Sequence, residues 1–308
     1  MVLCSFADFA EISTVSAPEG AVSMARHRRR RHPLRRFFCL LLLAAALSAF
    51  FWWDNNVLQV ESFSCPGTRL PAGFDGYRIV VLSDLHGKRF GQGNTLLFQN
   101  VQAQHPDCIV FTGDLVDRFH GINWSDVQTV ADGLQKIAPV YYVTGNHEWA
   151  LGQAPKLKAT LTDAGWQVLS NRYVKLERNG SSLILAGIDD PNGYADQKTP
   201  ESLAQELHQK EGNPFWILLA HRNDHFQSQY SYLHADLTIS GHGHGGMIRL
   251  PFTDGLIGTQ RNWFPSYTAG FYTAHGSRMF VSRGLGNSGF SFRLFNRPQI
   301  AVLTLTKS

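Results

Sequence analysis

Hydrophobic positions change their spacing three times along the chain. From Phe37 to Trp53, seventeen consecutive residues carry no charge. As a helix this run rises about 26 Å, at the short end of the range that spans a bilayer. Between Arg78 and Trp166, short apolar runs alternate with amphipathic stretches. The runs Arg78–Ser83, Cys108–Thr112 and Val140–Thr144 have the length and continuity of strands buried on both faces of a parallel sheet. Apolar residues at helical spacing predict helices near Asn94–Gln104 and Trp124–Ile137, the second opening on a capping box, Ser125-x-x-Gln128. Beyond Trp166 strands dominate. Tyr173–Arg178 and Ser181–Gly187 flank Asn179-Gly180, the signature of a two-residue hairpin turn. A helix near Pro200–Lys210 leads into a buried strand at Phe215–Ala220, and Leu237–Ser240 reads as another.

The pI near 8.9 suggests nucleic acid until the charge is located. Seven arginines (Arg26, Arg28, Arg29, Arg30, Arg31, Arg35 and Arg36) precede the apolar run, whereas residues 54–308 carry equal numbers of basic and acidic side chains. The main domain is neutral, so the basic balance belongs to the flank of the helix and gives no support to nucleic-acid binding. Arginines before the run, Trp52-Trp53 at its end and Asp54-Asn55-Asn56 after it predict a signal anchor with its N-terminus in the cytoplasm and everything after residue 54 outside. A signal peptide cleaved near Ala46-Leu47-Ser48 is the rival reading, and bulky Phe50–Trp53 just after that site argue against it. The basic region opens at Met24, which is the expected start of translation. The expected organisation is a disordered basic N-terminus over 1–36, a transmembrane helix over 37–53, a juxtamembrane linker over 54–76 and one domain over 77–308. The four cysteines show no C-x-x-C spacing and predict neither a zinc ribbon nor a disulfide framework.

Each predicted strand runs into a polar cluster, where open α/β sheets place their sites. The first delivers Asp84-Leu85-His86, the second Gly113-Asp114-Leu115-Val116-Asp117 and the third Gly145-Asn146-His147-Glu148. Later strands lead into His221 and into Gly241-His242-Gly243-His244. Two aspartates, an asparagine oxygen and several histidines form a mixed nitrogen and oxygen donor set that suits Mn, Fe, Zn or Co. The set is too large for one ion with an open position, and its surplus predicts two divalent ions sharing a carboxylate.

In order and content these motifs resemble the calcineurin-like metallophosphoesterases from Tyr77 to about Leu250. Arg283-Gly284-Leu285-Gly286 and Arg293-Leu294-Phe295-x-Arg297-Pro298 look like the tail of the membrane-associated bacterial branch, which includes enzymes similar to UDP-2,3-diacylglucosamine hydrolases. The resemblance implies a four-layer α/β/β/α double β-sandwich. It also implies that Asp84, His86 and His244 bind one metal, that Asn146, His221 and His242 bind the other, and that Asp114 bridges them. His147 is then free to face the substrate. Gly243, Arg222 and Met247 stand where the branch often has threonine, proline and glutamine; none is an implied ligand, so these departures bear on substrate identity.

A pair of metals lowers the pKa of a shared water, giving a hydroxide for in-line attack on phosphorus. The leaving alkoxide still needs a proton, for which His147 is the candidate acid, Asp117 its orienting partner and Arg118 a phosphate contact. Glu148 is expected to support the ligand geometry. His105, His120, His208, His225, His234 and His275 have no motif around them, and of these His120 and His225 are the two expected near the pocket. Trp263, Phe264, Tyr267, Phe271, Tyr272, Phe290, Phe292 and Phe295 read mostly as core, with a few as a rim for an acylated substrate or a membrane surface. The predicted activity is hydrolysis of a phosphodiester or pyrophosphate, with a lipid-linked substrate ahead of a soluble one. A secreted phosphomonoesterase or nuclease and a non-catalytic metal-binding scaffold remain the alternatives.

Overall fold

The computed structural model describes residues 33–308 apart from 194–196, 251–252, 260 and 289–291. The expectations placed on Met24, on Arg26 to Arg31 and on Phe290 therefore fall outside the described residues. The chain divides into two compact units, 1–45 and 46–308. Helix α1 (Pro33–Asn56) supplies all that is described of the first, and it is the only helix among the described residues long and apolar enough to cross a membrane.

The second unit continues with β1 (Gln59–Gly67), β2 (Arg78–Leu82), α2 (Thr95–Gln102), β3 (Cys108–Thr112), α3 (Trp124–Gln135), β4 (Val140–Val143), α4 (Asn146–Ala150), α5 (Ala154–Asp163) and β5 (Gln167–Val168). There follow β6 (Arg172–Arg178), β7 (Ser181–Gly187), α6 (Pro200–Glu211), β8 (Trp216–Arg222), β9 (Leu237–Gly241), a short ribbon of β10 (Ile248–Arg249) and β11 (Gly255–Ile257), β12 (Gly270–Ala274), β13 (Ser277–Val281) and β14 (Gln299–Lys307). One sheet has the order β1-β14-β2-β3-β4-β5 and the other β12-β13-β9-β8-β7-β6.

Strand periodicity builds the four layers. Ile79, Val81, Val110 and Val143 point from the first sheet to Leu183, Leu185, Ile217 and Ile239 of the second, forming the core between the sheets. Their neighbours Val80, Leu82, Ile109 and Tyr142 point outward, onto Leu97, Val127, Val130, Leu134 and Leu157 of α2, α3 and α5. On the far side Ile184, Ala186 and Leu218 meet Leu203 and Leu207 of α6. This is the expected α/β/β/α double sandwich, and it explains why the central strands are apolar without alternation.

Two local expectations are corrected. The helix Trp124–Gln135 is not capped by Ser125; the Asn123 side chain accepts hydrogen bonds from the Ser125 and Asp126 amides. Residues 54–76, read as a linker, contain β1, which pairs in parallel with β14 from Gln59↔Gln299 to Gly67↔Lys307. Pro66 does not interrupt the strand, since proline is tolerated on an edge strand such as this one. At the hairpin, by contrast, Asn179 and Gly180 both take positive φ and set Arg178 opposite Ser181, as their identities predict.

Candidate metal centre

Strands β2, β3 and β4 run parallel, as do β7, β8 and β9 in the other sheet, and their C-terminal ends meet at one edge of the sandwich. The chain must turn sharply there with bulky polar residues. Asp84, His86, Asp114, His242 and His244 all adopt left-handed backbone, with φ of 51°, 50°, 55°, 65° and 48°. Each such non-glycine conformation costs about 1 kcal/mol or more, and clusters of them mark sites where geometry outweighs local stability. Glycine makes the close approach possible: a Cβ on Gly145 would sit 2.2 Å from Asp114 Oδ1, and one on Gly241 would sit 1.9 Å from Ser83 Oγ.

All seven expected ligands come together. The Nε2 atoms of His86 and His244 lie 3.1 Å apart, and Asp84 Oδ1 lies 3.4 Å from His244 Nε2. Across the site, His221 Nε2 is 3.3 Å from Asp114 Oδ2 and 3.2 Å from Asn146 Oδ1. Asp114 Oδ2 is also 3.8 Å from His86 Nε2, so this carboxylate lies between the two clusters. His221 is oriented by its other nitrogen, which donates to the Thr112 carbonyl at 2.7 Å.

The electrostatics of the cluster fit divalent cations. Burial lowers the pKa of His86 to about 4 and those of His242 and His244 well below the ordinary histidine value, leaving neutral imidazoles with free lone pairs. Burial also opposes ionisation of Asp114, but His221, His86 and His147 overcome it and hold the carboxyl well below the usual range. Asp84 is pushed up to about 6, chiefly by burial, and His221 is raised to about 10: burial works against its charge, and the charge and hydrogen bond of Asp114 together with the charges of Asp84 and Asp190 prevail. His86 Nδ1 is buried without a hydrogen-bond partner. Convergent imidazole nitrogens and carboxylate oxygens, with ligand atoms in each group of three within 4.8 Å of one another, are a donor set built around positive charge.

His147 borders the ligands, with its ring centroid 4.6 Å from that of His86 and its Nε2 4.0 Å from Asp114 Oδ2. Its Nδ1 is 3.1 Å from Asp117 Oδ1, and its Nε2 is 3.2 Å from Ser288 Oγ at the wall of the cleft. Asp117 is held down to about 2: burial works against its charge, and hydrogen bonds from His147, His120 and the Phe119 amide prevail. His120 thus lies at the site as expected, whereas the His225 ring packs beside Tyr230, away from the ligands. Arg118 lines the cleft with its guanidinium 4.7 Å from the Phe119 ring centroid.

The cleft holds about 740 Å³ and is lined by groups that no motif announced. Arg222 pairs with buried Asp190 at 2.7 Å and brings Nη1 to 3.2 Å from His242 Nε2. Asn192 and Arg261 also border the cleft, with Phe119, Phe292, Met247, Ile248 and Ile257 as its apolar lining. Arg222 and Met247 stand out in the sequence as departures bearing on the substrate, whereas nothing in the sequence points to Asn192 or Arg261.

Glu148 supports the ligand loops from beneath. One oxygen accepts from the Leu115 and Val116 amides, at 2.7 and 3.4 Å, and the other from Asp114 and Gly145, at 3.1 and 2.7 Å. Burial and the Asp114 charge push its carboxyl up to about 7, and the backbone bonds act against that shift. Glu148→Gln turns an NH2 group toward two of these amides whichever way the side chain flips. The expected cost is about 2–4 kcal/mol for buried donors left unpaired, which lowers the Tm by roughly 5–15 °C in a domain of this size. Thermal unfolding at the wild-type midpoint would reject this role.

Comparison with known proteins agrees with this geometry. The chain is 30% identical over 258 residues to metallophosphoesterase YkuE of Bacillus subtilis, covering 81% of this chain and 86% of that one. It is 28% identical over 234 residues to phosphodiesterase YaeI of Escherichia coli, covering 74% and 82%. A zebrafish transmembrane protein with a metallophosphoesterase domain is 29% identical over 266 residues, which span 82% of this chain and 57% of that protein. The sequence model of calcineurin-like phosphoesterases matches residues 77–246, more than half of the chain. Strand-end ligands converging in one buried cleft, a matched family model and relatives along most of its length together place this chain in the calcineurin-like phosphoesterase family, as a metal-dependent hydrolase of phosphoester bonds.

Proposed function

We propose that the protein hydrolyses a phosphodiester or pyrophosphate with two divalent metal ions, and that its substrate is amphiphilic and membrane-linked. Asp84, His86 and His244 would hold one ion, Asn146, His221 and His242 the other, with Asp114 shared. When bound, the metals supply Lewis acidity and an activated water at neutral pH. The chain's own groups do the rest. Arg118 and Arg222 offer cations to the phosphoryl oxygens. His147 delivers a proton from Nε2 to the leaving oxygen while Asp117 fixes its ring. The observation that carries the reading is His147 itself: a buried histidine at the edge of the ligand cluster, within reach of His86 and Asp114, with a carboxylate beside its Nδ1 and its Nε2 facing the cleft.

Size and lining favour an amphiphilic ester over a small phosphomonoester. A cleft of about 740 Å³ exceeds the need of one phosphoryl group, and it joins several arginines to an apolar side that includes exposed Phe119 and Phe292. Exposed Trp263 and Phe264 lie in the same loop as Arg261 at its border. The YaeI relative is named a phosphodiesterase and the zebrafish relative a transmembrane protein. The full chain in detergent, assayed with Mn, Co or Zn against bis-p-nitrophenyl phosphate, p-nitrophenyl phosphate and a nucleoside diphosphate-linked lipid, should hydrolyse the diester and the lipid pyrophosphate faster than the monoester. A preference for the monoester would favour a phosphomonoesterase, and no turnover despite two bound metals would favour a scaffold.

For α1 the proposal is a retained anchor with residues 1–36 in the cytoplasm and the catalytic unit outside. Protease added to spheroplasts should digest a tag at Ser308 and spare one near Met24. A protected C-terminal tag would reverse the orientation and move the substrate to the cytoplasmic leaflet.

A further inference from the structure

The last turn of α1 reaches the metal centre chiefly through Asn55, beside Asp54, whose carboxylate accepts from the Phe295 and Asn296 amides. The Asn55 amide behaves like a peptide unit added to the segment 292–297: its Oδ1 accepts from the Arg293 amide at 2.7 Å and its Nδ2 donates to the Arg293 carbonyl at 2.9 Å. Nδ2 also donates to the Phe51 carbonyl at 2.9 Å, which ties the side chain to its own helix, and Asn287 Nδ2 reaches Oδ1 at 3.3 Å. The Asn55 main-chain carbonyl, one of the unpaired acceptors at a helix C-terminus, is taken by the ammonium of Lys88.

Each of these partners leads directly to a candidate ligand. Lys88 lies two residues beyond His86, in the loop that also carries Asp84. Arg293 is fully buried; its guanidinium donates to the Gly286 carbonyl at 2.6 Å and lies 3.5 Å from His244 Nδ1. Gly286 in turn donates its amide to the Asp84 carbonyl at 2.6 Å. Asn296, in the same segment, holds the His244 carbonyl at 2.7 Å and the Met247 carbonyl at 3.3 Å, clamping the turn in which His244 is held at positive φ. Asn55 therefore links the loop bearing Asp84 and His86 to the segment that braces His244, the three side chains grouped around one ion site.

Resting on the two-metal reading above, we propose that Asn55 is a positioning residue for the Asp84, His86 and His244 site, so that the catalytic unit begins in the last turn of α1. The neighbouring site of Asn146, His221 and His242 is built on β8, β9 and α4 and lies one step further along this chain of hydrogen bonds, through the His242 amide that donates to the Asp84 carboxylate. Loss of the Asn55 side chain therefore acts first and most strongly on the Asp84, His86 and His244 site. Alanine at this position leaves the Arg293 amide and carbonyl without their partner and frees the segment to shift relative to the Asp84 loop. Ligand atoms displaced in this way weaken metal binding by about 10–100-fold, the range seen when a group supporting a ligand is removed.

The test uses the full chain in detergent, with Mn as the probe and metal per chain measured by mass spectrometry over a series of free Mn concentrations. Asn56→Ala is the control, because among the described residues the Asn56 side chain donates only to Trp52, within the helix. Wild type and Asn56→Ala should bind two ions, and Asn55→Ala should bind one at the original affinity and the second about 10–100-fold more weakly. A merely structural role would lower the Tm while leaving the two affinities at 20 °C unchanged, and that result overturns the proposal. If Asn55→Ala fails to fold, Asn55→Asp keeps the acceptor for the Arg293 amide and loses both donor bonds. It should weaken the same single site, and two ions at wild-type affinity in this variant would reject the proposal. A wild-type chain that binds no metal would instead defeat the two-metal reading itself.

Discussion

Replacing Asp114 with asparagine is expected to reduce turnover by about three orders of magnitude or more and to leave at most one metal ion per chain. The side chain lies between the two ligand clusters, with Oδ2 at 3.3 Å from His221 Nε2 and 3.8 Å from His86 Nε2 and with Oδ1 accepting the His147 amide at 2.9 Å. Asparagine preserves the volume and that amide bond but removes the shared negative charge. Two cations would then sit close together with no anion between them, and His221, whose raised pKa depends chiefly on the Asp114 charge against its burial, would lose its counter-ion. A factor of about 10³ corresponds to roughly 4 kcal/mol of lost transition-state stabilisation, comparable to removing one preorganised electrostatic group from an active site. Metal content and steady-state turnover measured on the same preparation decide the matter. Two metals at near wild-type turnover would show that the carboxylate is not shared.

His147→Ala should separate chemistry from metal binding. Its ring is held at Nδ1 by the Arg118 amide and the Asp117 carboxylate and faces the cleft at Nε2, and its backbone amide, at 2.9 Å, contacts Asp114 more closely than its ring does, at 4.0 Å. Alanine retains that backbone contact and both groups of ligands, so two metals should remain. Turnover of esters with poor leaving groups should fall by about 10²–10⁴, the contribution of one acid–base group. An activated leaving group such as p-nitrophenolate needs little protonation, so the loss on that substrate should be much smaller. Equal losses on both kinds of ester, or loss of metal, would assign His147 to the metal centre instead of to proton transfer.

The site was legible in the sequence because its chemistry is local. Asp84-x-His86, Gly145-Asn146-His147-Glu148 and Gly241-His242-Gly243-His244 each sit where an apolar run stops, and a strand end can only deliver such residues to the edge of a sheet. Arg222 and Asp190 were not legible in this way. They lie 32 residues apart, and their pairing depends on how β8 lies beside β7. The aromatic residues near the C-terminus divide similarly: Phe271 packs against Phe280 in the second sheet, whereas Phe292 joins the cleft and stacks edge-on with Phe51. Spacing alone does not distinguish these fates.

The sequence by itself determined the alternation of strands and helices, the apolar helix, the hairpin at Asn179-Gly180 and the donor set at the strand ends, because each depends on neighbours within a few residues. Tertiary structure alone decided that residues 59–67 are an edge strand, since that requires β14, more than two hundred residues away, to offer its ladder. It also decided that Asn123 and not Ser125 caps α3, a choice between capping residues two positions apart that depends on where the preceding loop leaves the chain. The role of the last turn of α1 belongs to the same class. Asn55 is an ordinary polar residue after an apolar run until the fold brings Arg293 and Lys88 to it, because hydrogen bonds between distant segments leave no periodicity to read.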